Sequence, residues 1–414
     1  MVGIMFIIML ALIFVGVPVA FSILGSGIWF LLATDMKPLA LVCQRAVTGL
    51  DSFPLLAVPL FVFVGDLMDR GGISRRMIRW AESFLGWMPG GLGVVTIVSC
   101  AVFAALTGSG PATVAAIGSI MIPSLVKNGY PMKTAAGMAA AGGALGPIIP
   151  PSIPMIIYGV TMGVSIPQMF VAGIVPGLLL AALLILVNLV IAVKNPEILR
   201  HRGTSFSIKE VLKNTWSALG ALLLPVIILG GIYGGFFTPT EAAAVSCVYA
   251  LVVGCFIYRN LSAKQIWRSL CEISVRVSSM LTIVCVATAM AWFVSSSGLA
   301  KTIAEAVLAG FSSKIALLTV INILLFILGC LIDPTSIILL TCPIIIPITQ
   351  SLGMSSVAVG AFMIMNIAVG MVTPPFAGTL YVANQIAGEK SIAPITLKLW
   401  PYICLLYTSP SPRD

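Results

Sequence analysis

Four short segments rich in glycine, proline and hydroxyl side chains interrupt the apolar stretches of this chain. They are Thr107-Gly-Ser-Gly-Pro-Ala-Thr113, Gly146-Pro-Ile-Ile-Pro-Pro-Ser152, Ile332-Asp-Pro-Thr-Ser336 and Gly370-Met-Val-Thr-Pro-Pro-Phe376. Proline cannot continue a helix, because it lacks an amide donor and clashes with the preceding turn. Carbonyls freed at such breaks can hold a cation together with hydroxyls, while helix N-termini present amides to an anion. The alternative is that these glycines and prolines only kink packed helices.

The candidate cation ligands lie in these four segments. In the first half of the chain they are the hydroxyls of Ser109, Thr113 and Ser152, with carbonyls near Gly108 and Gly146. In the second half they are the side chains of Asp333, Thr335, Ser336 and Thr373, with carbonyls near Gly370.

Asp333 is an acidic residue deep in an apolar run of the second half. An ionisable group in such a place is costly, which favours a direct role in binding an ion or substrate. An Asp-Pro pair also suits the start of a helix, with Asp as N-cap and proline at the first helical position. A partner for a nearby cation is the third interpretation, and all three stay open.

The four segments belong to one pattern that occurs twice. Proline and glycine positions recur at a constant offset of 224 residues (347 − 123 = 224), as in Pro123 and Pro347, Gly129 and Gly353, Gly146 and Gly370, Pro150 and Pro374, and Pro151 and Pro375. Duplicated apolar segments interrupted by glycine and proline indicate the binding site of a secondary transporter.

Composition places these segments in a membrane. The 414 residues are 59% hydrophobic and only 8% charged, whereas soluble domains are about a quarter charged. We therefore expect an all-α polytopic membrane protein embedded in a lipid bilayer. The net charge of +9 resides in short loops, as positively charged cytoplasmic loops require, so no nucleic-acid partner is predicted. His201 stands alone and the nine cysteines form no Cys-x-x-Cys pair, which argues against an enzyme, a cofactor or a transition-metal site.

Charge placement predicts the topology. Four basic clusters are expected to be cytoplasmic: Arg70–Arg79, Lys127–Lys133, Lys194–Lys213 and Arg259–Arg276. The segment at about 92–126 leaves one cluster and returns to another, so it should be a re-entrant helical hairpin with Thr107–Thr113 at its tip. The equivalent segment at about 315–350 should enter from the opposite face. Inverted-topology repeats of this kind are typical of secondary transporters.

Each repeat is expected to contain scaffold spans, an interfacial arm helix, a hairpin and a discontinuous helix. Residues 1–200 form the first repeat, 201–215 a cytoplasmic loop and 216–403 the second repeat. The broken helices are predicted at about 132–162 and 355–387, and the arm helices at Arg75–Phe84 and Ala300–Leu308. The scaffold spans are predicted at about 2–15, 17–33, 53–69, 168–193, 216–236, 240–258, 276–297 and from 394 onward.

Two further stretches have simpler interpretations. Thr238-Pro-Thr-Glu241 has the spacing of a helix capping box, which we prefer to a catalytic role. Leu405–Asp414 resembles the translation of a transposase sequencing adaptor, and Cys404 fits its upstream bases. We therefore expect residues 404–414 to be non-native and the native chain to stop near Ile403; the alternative is a polar tail.

Together with Phe236-Phe-Thr-Pro-Thr-Glu-Ala-Ala-Ala244, the four segments resemble those of the large membrane subunit of tripartite ATP-independent periplasmic (TRAP) transporters. The resemblance covers residues 1–403. It implies an elevator-type ion transporter in the bacterial inner membrane, with sodium as the coupling ion. The expected partners are a small four-helix membrane subunit on a separate chain and a periplasmic binding protein. The binding protein would deliver C4-dicarboxylates, sialic acid or related organic acids.

The resemblance also implies that the hairpin tips and helix breaks bind sodium and flank the substrate. The first sodium site is assigned to Gly108, Ser109, Gly110, Thr113, Gly146 and Pro150. The second is assigned to Asp333, Thr335, Gly370 and Thr373. The substrate-binding residues are assigned as Ser109, Pro151, Ser152, Ser336, Pro374 and Pro375. No lysine or arginine lies at either break, so amides, hydroxyls and sodium should hold the substrate carboxylates. The alternative function is an ion-coupled anion transporter of the same inverted-repeat superfamily that works without a binding protein.

Overall fold

The structure is a computed structural model that describes residues 2–34, 40–200, 206–296, 314–375 and 377–408. All regular secondary structure within these residues is helical. Seven of the described helices are long and apolar enough to cross a membrane, or up to eight if a bent pair of helices counts as one span. The prediction of an all-α polytopic membrane protein is confirmed.

The N-terminal fifth of the chain forms helices that flank the four segments. They are α1 (Val2–Phe14), α2 (Val19–Thr34), α3 (Ala40–Leu50), α4 (Ala57–Arg70, preceded by a 3₁₀ turn at Phe53–Leu56) and α5 (Ile73–Leu85). The α3 helix meets the segment Phe53–Arg70 at 62°. The sequence does not predict α3, because Gln44 and Arg45 interrupt its apolar pattern. The amphipathic α5, at the place predicted for the first arm helix, packs on the helix Ile208–Tyr233 and on the helix Gly91–Thr107.

Two helices joined by a tight turn occupy the place predicted for the first hairpin. They are α6 (Gly91–Thr107) and α7 (Gly110–Lys127), and α7 contains a π turn at Val114–Gly118. Gly108 makes the turn with a φ of +60°, a left-handed conformation that costs glycine little. Pro111 then lies in the first turn of α7, where a missing amide is harmless.

The helix that follows is broken at the first proline pair. Its two segments are α8 (Met132–Gly143) and α9 (Ile153–Met162). The Ser152 hydroxyl caps α9 by accepting a hydrogen bond from the Met155 amide at 3.3 Å. The Pro150–Pro151 peptide bond is cis, as is the Pro374–Pro375 bond.

Helix α10 (Ile166–Lys194) and a short helix at Pro196–Arg200 follow and complete the first half of the chain. The second half contains α11 (Ile208–Tyr233), α12 (Pro239–Ile257), α13 (Ala263–Ser296), α14 (Lys314–Leu331), α15 (Pro334–Ser351), α16 (Ser356–Gly370), α17 (Gly378–Ala387) and α18 (Ala393–Thr408). The α15 helix begins and ends 224 residues after α7 (334 − 110 and 351 − 127). The division into two inverted repeats stays a prediction. The predicted second arm helix at Ala300–Leu308 and the loop residue His201 lie in parts of the chain that the structure does not describe.

The second segments of the broken helices pack across the two halves. The α17 helix packs on α8 and on the hairpin helix α7, while α9 packs on α15. The Tyr158 hydroxyl of α9 donates a hydrogen bond to the Ser356 carbonyl at 2.5 Å. The four segments singled out from the sequence are thus held together by interlocked helices rather than by loops.

Candidate functional site

The tip of the first hairpin lies directly against the first helix break. The Ile153 amide donates a hydrogen bond to the Gly108 carbonyl at 3.3 Å. A Cβ atom added at Gly146 would lie 2.5 Å from the Gly110 nitrogen and 2.5 Å from the Ser109 carbonyl carbon. Glycine is therefore required at 146, because two backbone segments meet there without room for a side chain.

Hydroxyl and carbonyl oxygens cluster at this tip. The Thr113 hydroxyl donates to the Ser109 carbonyl at 2.8 Å and lies 3.2 Å from the Thr107 hydroxyl. Thr107 and Thr113 are both buried, whereas Ser109 is half-buried. The Ser152 hydroxyl donates to the Pro147 carbonyl at 2.5 Å within the break. The Ser109 carbonyl also accepts a hydrogen bond from the Thr113 amide at 3.1 Å, so both of its lone pairs are engaged. The hydroxyl oxygens, which have two lone pairs each, are therefore the atoms at this tip that could bind a cation.

Thr107 belongs to this cluster but is absent from the residues assigned to the site from the sequence. Its hydroxyl also lies 3.4 Å from the Ser109 amide. The sequence could have indicated it, because Thr107 is the first residue of the segment Thr107–Thr113 and carries a hydroxyl. Its side chain also contacts the flanking helix α4, because a Cβ atom at Gly65 would lie 2.8 Å from the Thr107 methyl.

At the second tip, Asp333 caps helix α15. Its carboxylate accepts hydrogen bonds from the Ser336 amide at 3.1 Å and the Ser336 hydroxyl at 2.5 Å. Asp333 itself is exposed, while Thr335 and Ser336 are buried. The interpretation as an N-cap is confirmed, and a role in ion binding stays a prediction. The two roles are compatible, since a carboxylate offers about four lone-pair sites and the cap uses two.

The second break also meets its hairpin through the backbone. A Cβ atom added at Gly370 would lie 2.5 Å from the Gly329 Cα. Beyond Gly370, the Thr373 hydroxyl donates to the Val369 carbonyl at 2.9 Å. The sequence did not single out Gly329, although the equivalent position in the first hairpin is the small residue Ala105 (329 − 224 = 105). In the two breaks, Pro150, Pro151 and Ser152 are buried, whereas Pro374 is half-buried and Pro375 exposed.

Charged groups lie elsewhere, at the end of α4. Arg70 pairs with Asp66 at 2.6 Å and with Glu272 of α13 at 2.5 Å. The Ser74 hydroxyl donates to Asp69 at 2.7 Å. These groups tie α4 to α13 and to the start of α5, and they serve as structural links between flanking helices.

The predicted capping box at the start of α12 is present. The Thr238 hydroxyl accepts a hydrogen bond from the Glu241 amide at 3.3 Å, and the Glu241 carboxylate accepts one from the Thr238 amide at 2.8 Å. Across the residues that the structure describes, no group of three or more His, Cys, Asp or Glu side chains is placed to hold a metal ion. The candidate site consists of the oxygen-rich tips and breaks, where hairpin and broken helix meet through their backbones at Gly146 and at Gly370.

Comparison with known proteins identifies the family. Residues 6–409 match the family described as the tripartite ATP-independent periplasmic transporter, DctM component. The chain is 38% identical to the isethionate TRAP transporter permease protein DctMQ of Oleidesulfovibrio alaskensis, over 95% of this chain but only 61% of that protein. It is 36% identical to the C4-dicarboxylate TRAP transporter large permease protein DctM of Vibrio cholerae, over 98% of this chain and 93% of that protein.

Solved structures show the same fold at low sequence identity. The Alcanivorax borkumensis YdaH transporter aligns with a TM-score of 0.60 and 15% identity, covering 87% of this chain and 84% of that chain. Neisseria gonorrhoeae MtrF aligns with a TM-score of 0.60 and 14% identity, covering 91% of this chain and 83% of that chain. The chain thus belongs to the DctM family, the large membrane subunits of TRAP transporters, which are multi-pass proteins of the bacterial inner membrane.

Proposed function

We propose that this chain is the permease of a sodium-coupled importer of small organic acids. The observation that carries the proposal is the direct backbone contact between hairpin and helix break in each half, at Gly146 and at Gly370. Such contacts bring free carbonyls, hydroxyls and helix N-termini to one point in each half. Transporters built from discontinuous helices use these groups for coupling ions and anionic substrates.

Sodium occupies the oxygen-rich face of each tip. In the first half, the hydroxyl oxygens of Ser109 and Thr113 and the carbonyls around Gly146 supply the ligands, and the Thr107 hydroxyl joins them. In the second half, Asp333, Thr335, Thr373 and the carbonyl of Gly370 supply them. Backbone carbonyls at helix C-termini carry partial negative charge, which favours a cation without a full set of carboxylates.

The substrate carboxylates face the N-termini of the resumed helices. Helix α9 begins at Ile153, directly after Ser152, and α17 begins at Gly378, three residues after the second proline pair. Both N-termini carry a partial positive charge. At α9 the Ile153 amide already bonds to the Gly108 carbonyl and the Met155 amide to the Ser152 hydroxyl, so there the attraction to a carboxylate comes from this partial charge. The names of the relatives point to acids: isethionate, C4-dicarboxylates and sialic acid. A small organic acid is accordingly the substrate class that fits this site.

Transport proceeds by an elevator movement. Both hairpins and both broken helices form one interlocked unit, because α17 packs on the first hairpin and α9 on the second. Moving one hairpin alone would expose unpaired carbonyls to lipid, which is strongly unfavourable. The unit therefore slides as a whole against the flanking helices, and the Gly65–Thr107 contact lies on the sliding surface. A small membrane subunit and a periplasmic binding protein complete the assembly.

The second candidate function is ion-coupled anion transport without a binding protein. The fold shared with MtrF, which represents a class of antimetabolite efflux pumps, is the observation behind it, because a pump that exports its substrate needs no periplasmic protein to deliver it. The two candidates differ in their need for a soluble partner.

The test is uptake into proteoliposomes that contain this chain and a small membrane subunit of a TRAP transporter. A C4-dicarboxylate, sialic acid and isethionate are supplied in turn under one fixed sodium gradient, with and without a periplasmic binding protein for that acid. We expect that one of these acids is taken up, and that its uptake occurs only when the binding protein is present. Equal uptake without the binding protein would support the second candidate and contradict the first.

A further inference from the structure

Thr379 joins the two ends of the second broken helix. It lies in the first turn of α17 and is fully buried. Its hydroxyl donates a hydrogen bond to the carbonyl of Met371 at 2.7 Å. Met371 directly follows Gly370 at the end of α16. The bond therefore spans the break and holds the Met371 carbonyl next to the contact between Gly370 and Gly329.

The methyl group of the same side chain enters the first half of the protein. A Cβ atom added at Gly110 would lie 2.9 Å from the Thr379 methyl, and one added at Gly143 would lie 3.1 Å from it. Gly110 follows Ser109 at the tip of the first hairpin, and Gly143 ends α8. Two positions without a side chain thus form a slot for this methyl group.

The two tips are consequently connected by a short chain of contacts. Gly146 touches Gly110, Gly110 touches Thr379, and Thr379 holds the residue next to Gly370. The first half of the chain has no counterpart of the Thr379 hydroxyl at the equivalent described position. The equivalent of Thr379 in the first half is Met155 (379 − 224 = 155), which has no hydroxyl and packs against Gly173 of α10 instead.

We propose that Thr379 is a positioning residue that couples the two sodium sites. This inference rests on the proposed function. Sodium at the first tip fixes Gly110, which fixes the Thr379 methyl. The Thr379 hydroxyl then holds the Met371 carbonyl, and with it the adjoining backbone of Gly370, whose carbonyl is a ligand of the second site. Because coupling between sites is reciprocal, sodium at the second site strengthens binding at the first by the same factor.

Two substitutions separate the two contacts. Thr379→Val keeps a methyl group in the glycine slot but removes the donor to Met371. Thr379→Ser keeps the donor but removes the methyl group that touches Gly110. Thr96→Val is the matched control, because Thr96 is also fully buried but its hydroxyl donates only to Leu92 of its own helix, at 2.8 Å.

The experiment is a calorimetric titration of the purified complex with the small membrane subunit, using sodium chloride against choline chloride at constant ionic strength. Linked sites are typically coupled by about 5- to 150-fold in affinity. For two sites of equal affinity, the sodium concentration at half-saturation changes as the square root of the coupling factor. Loss of the coupling in either Thr379 variant should therefore raise this concentration by about two- to twelvefold. The Hill coefficient should fall from above one to about one, while Thr96→Val should behave as wild type.

The outcomes distinguish this inference from the proposed function. Wild-type protein that binds no sodium would overturn both. Wild-type protein that binds sodium with a Hill coefficient of one would overturn the coupling alone. So would a Hill coefficient above one that both Thr379 variants retain. A purely structural role for Thr379 would lower the yield of folded protein without changing the Hill coefficient.

Discussion

Gly146→Ala is the substitution that should damage the first site with the least change in chemistry. The added methyl carbon would lie 2.5 Å from the Gly110 nitrogen, 2.5 Å from the Ser109 carbonyl carbon and 2.7 Å from the Ser109 oxygen. All three atoms are backbone, so no flexible side chain can move aside. The hairpin tip itself must retreat from the break.

The size of the effect follows from these distances. Ordinary contacts of a Cβ atom begin at 3.4 Å, so the tip must move by roughly 0.9 Å (3.4 − 2.5). Overpacking of this kind costs about 1–3 kcal/mol. At about 1.4 kcal/mol per tenfold, the sodium concentration for half-maximal uptake should rise by about 5- to 150-fold.

The assay is a sodium titration of uptake in proteoliposomes, with two alanine controls. Gly378→Ala lies beside the site, but its methyl carbon would meet only the Pro111 side chain, at 3.6 Å. Gly230→Ala lies in α11 with nothing within 4 Å. Both controls should titrate as wild type. A wild-type sodium curve for Gly146→Ala would refute the assignment of the first site to this contact.

Three further substitutions test separate parts of the structure. Asp333→Asn should leave thermal stability unchanged, because asparagine caps helices as well as aspartate; a raised sodium half-saturation would assign the charge to the second site, and an unchanged curve would leave only the cap. Thr238→Ala should lower stability by about 1 kcal/mol through loss of its cap, measured by thermal unfolding, and any change in sodium dependence would contradict a purely structural role. Gly65→Ala should lower the maximal uptake rate, because its methyl carbon would lie 2.8 Å from the Thr107 methyl; an unchanged rate would remove this contact from the sliding surface.

Much of the helical layout could be predicted because glycine and proline act locally. Gly108 permits the left-handed turn at the first tip, and the Asp333-Pro pair starts α15. These residues determine where helices end whatever surrounds them. In contrast, α3 has too few consecutive apolar residues to be recognised, and the sequence begins α13 at about 276 although the helix starts at Ala263.

The contacts that define the site could be predicted less well. The meeting of Gly370 with Gly329 and the seating of Thr379 against Gly110 depend on how the helices pack in three dimensions. The latter pair is separated by 269 residues (379 − 110). Glycine at one position does not reveal which distant atom approaches it, so these contacts required the structure.

The central claim is that a sodium gradient drives uptake through this permease. The most direct measurement is accumulation of the transported acid in proteoliposomes that contain the chain and both partners, under an inward, an absent and a reversed sodium gradient. We expect accumulation above the external concentration only with the inward gradient, and release of preloaded acid when the gradient is reversed. Accumulation that is the same under all three conditions would contradict sodium coupling.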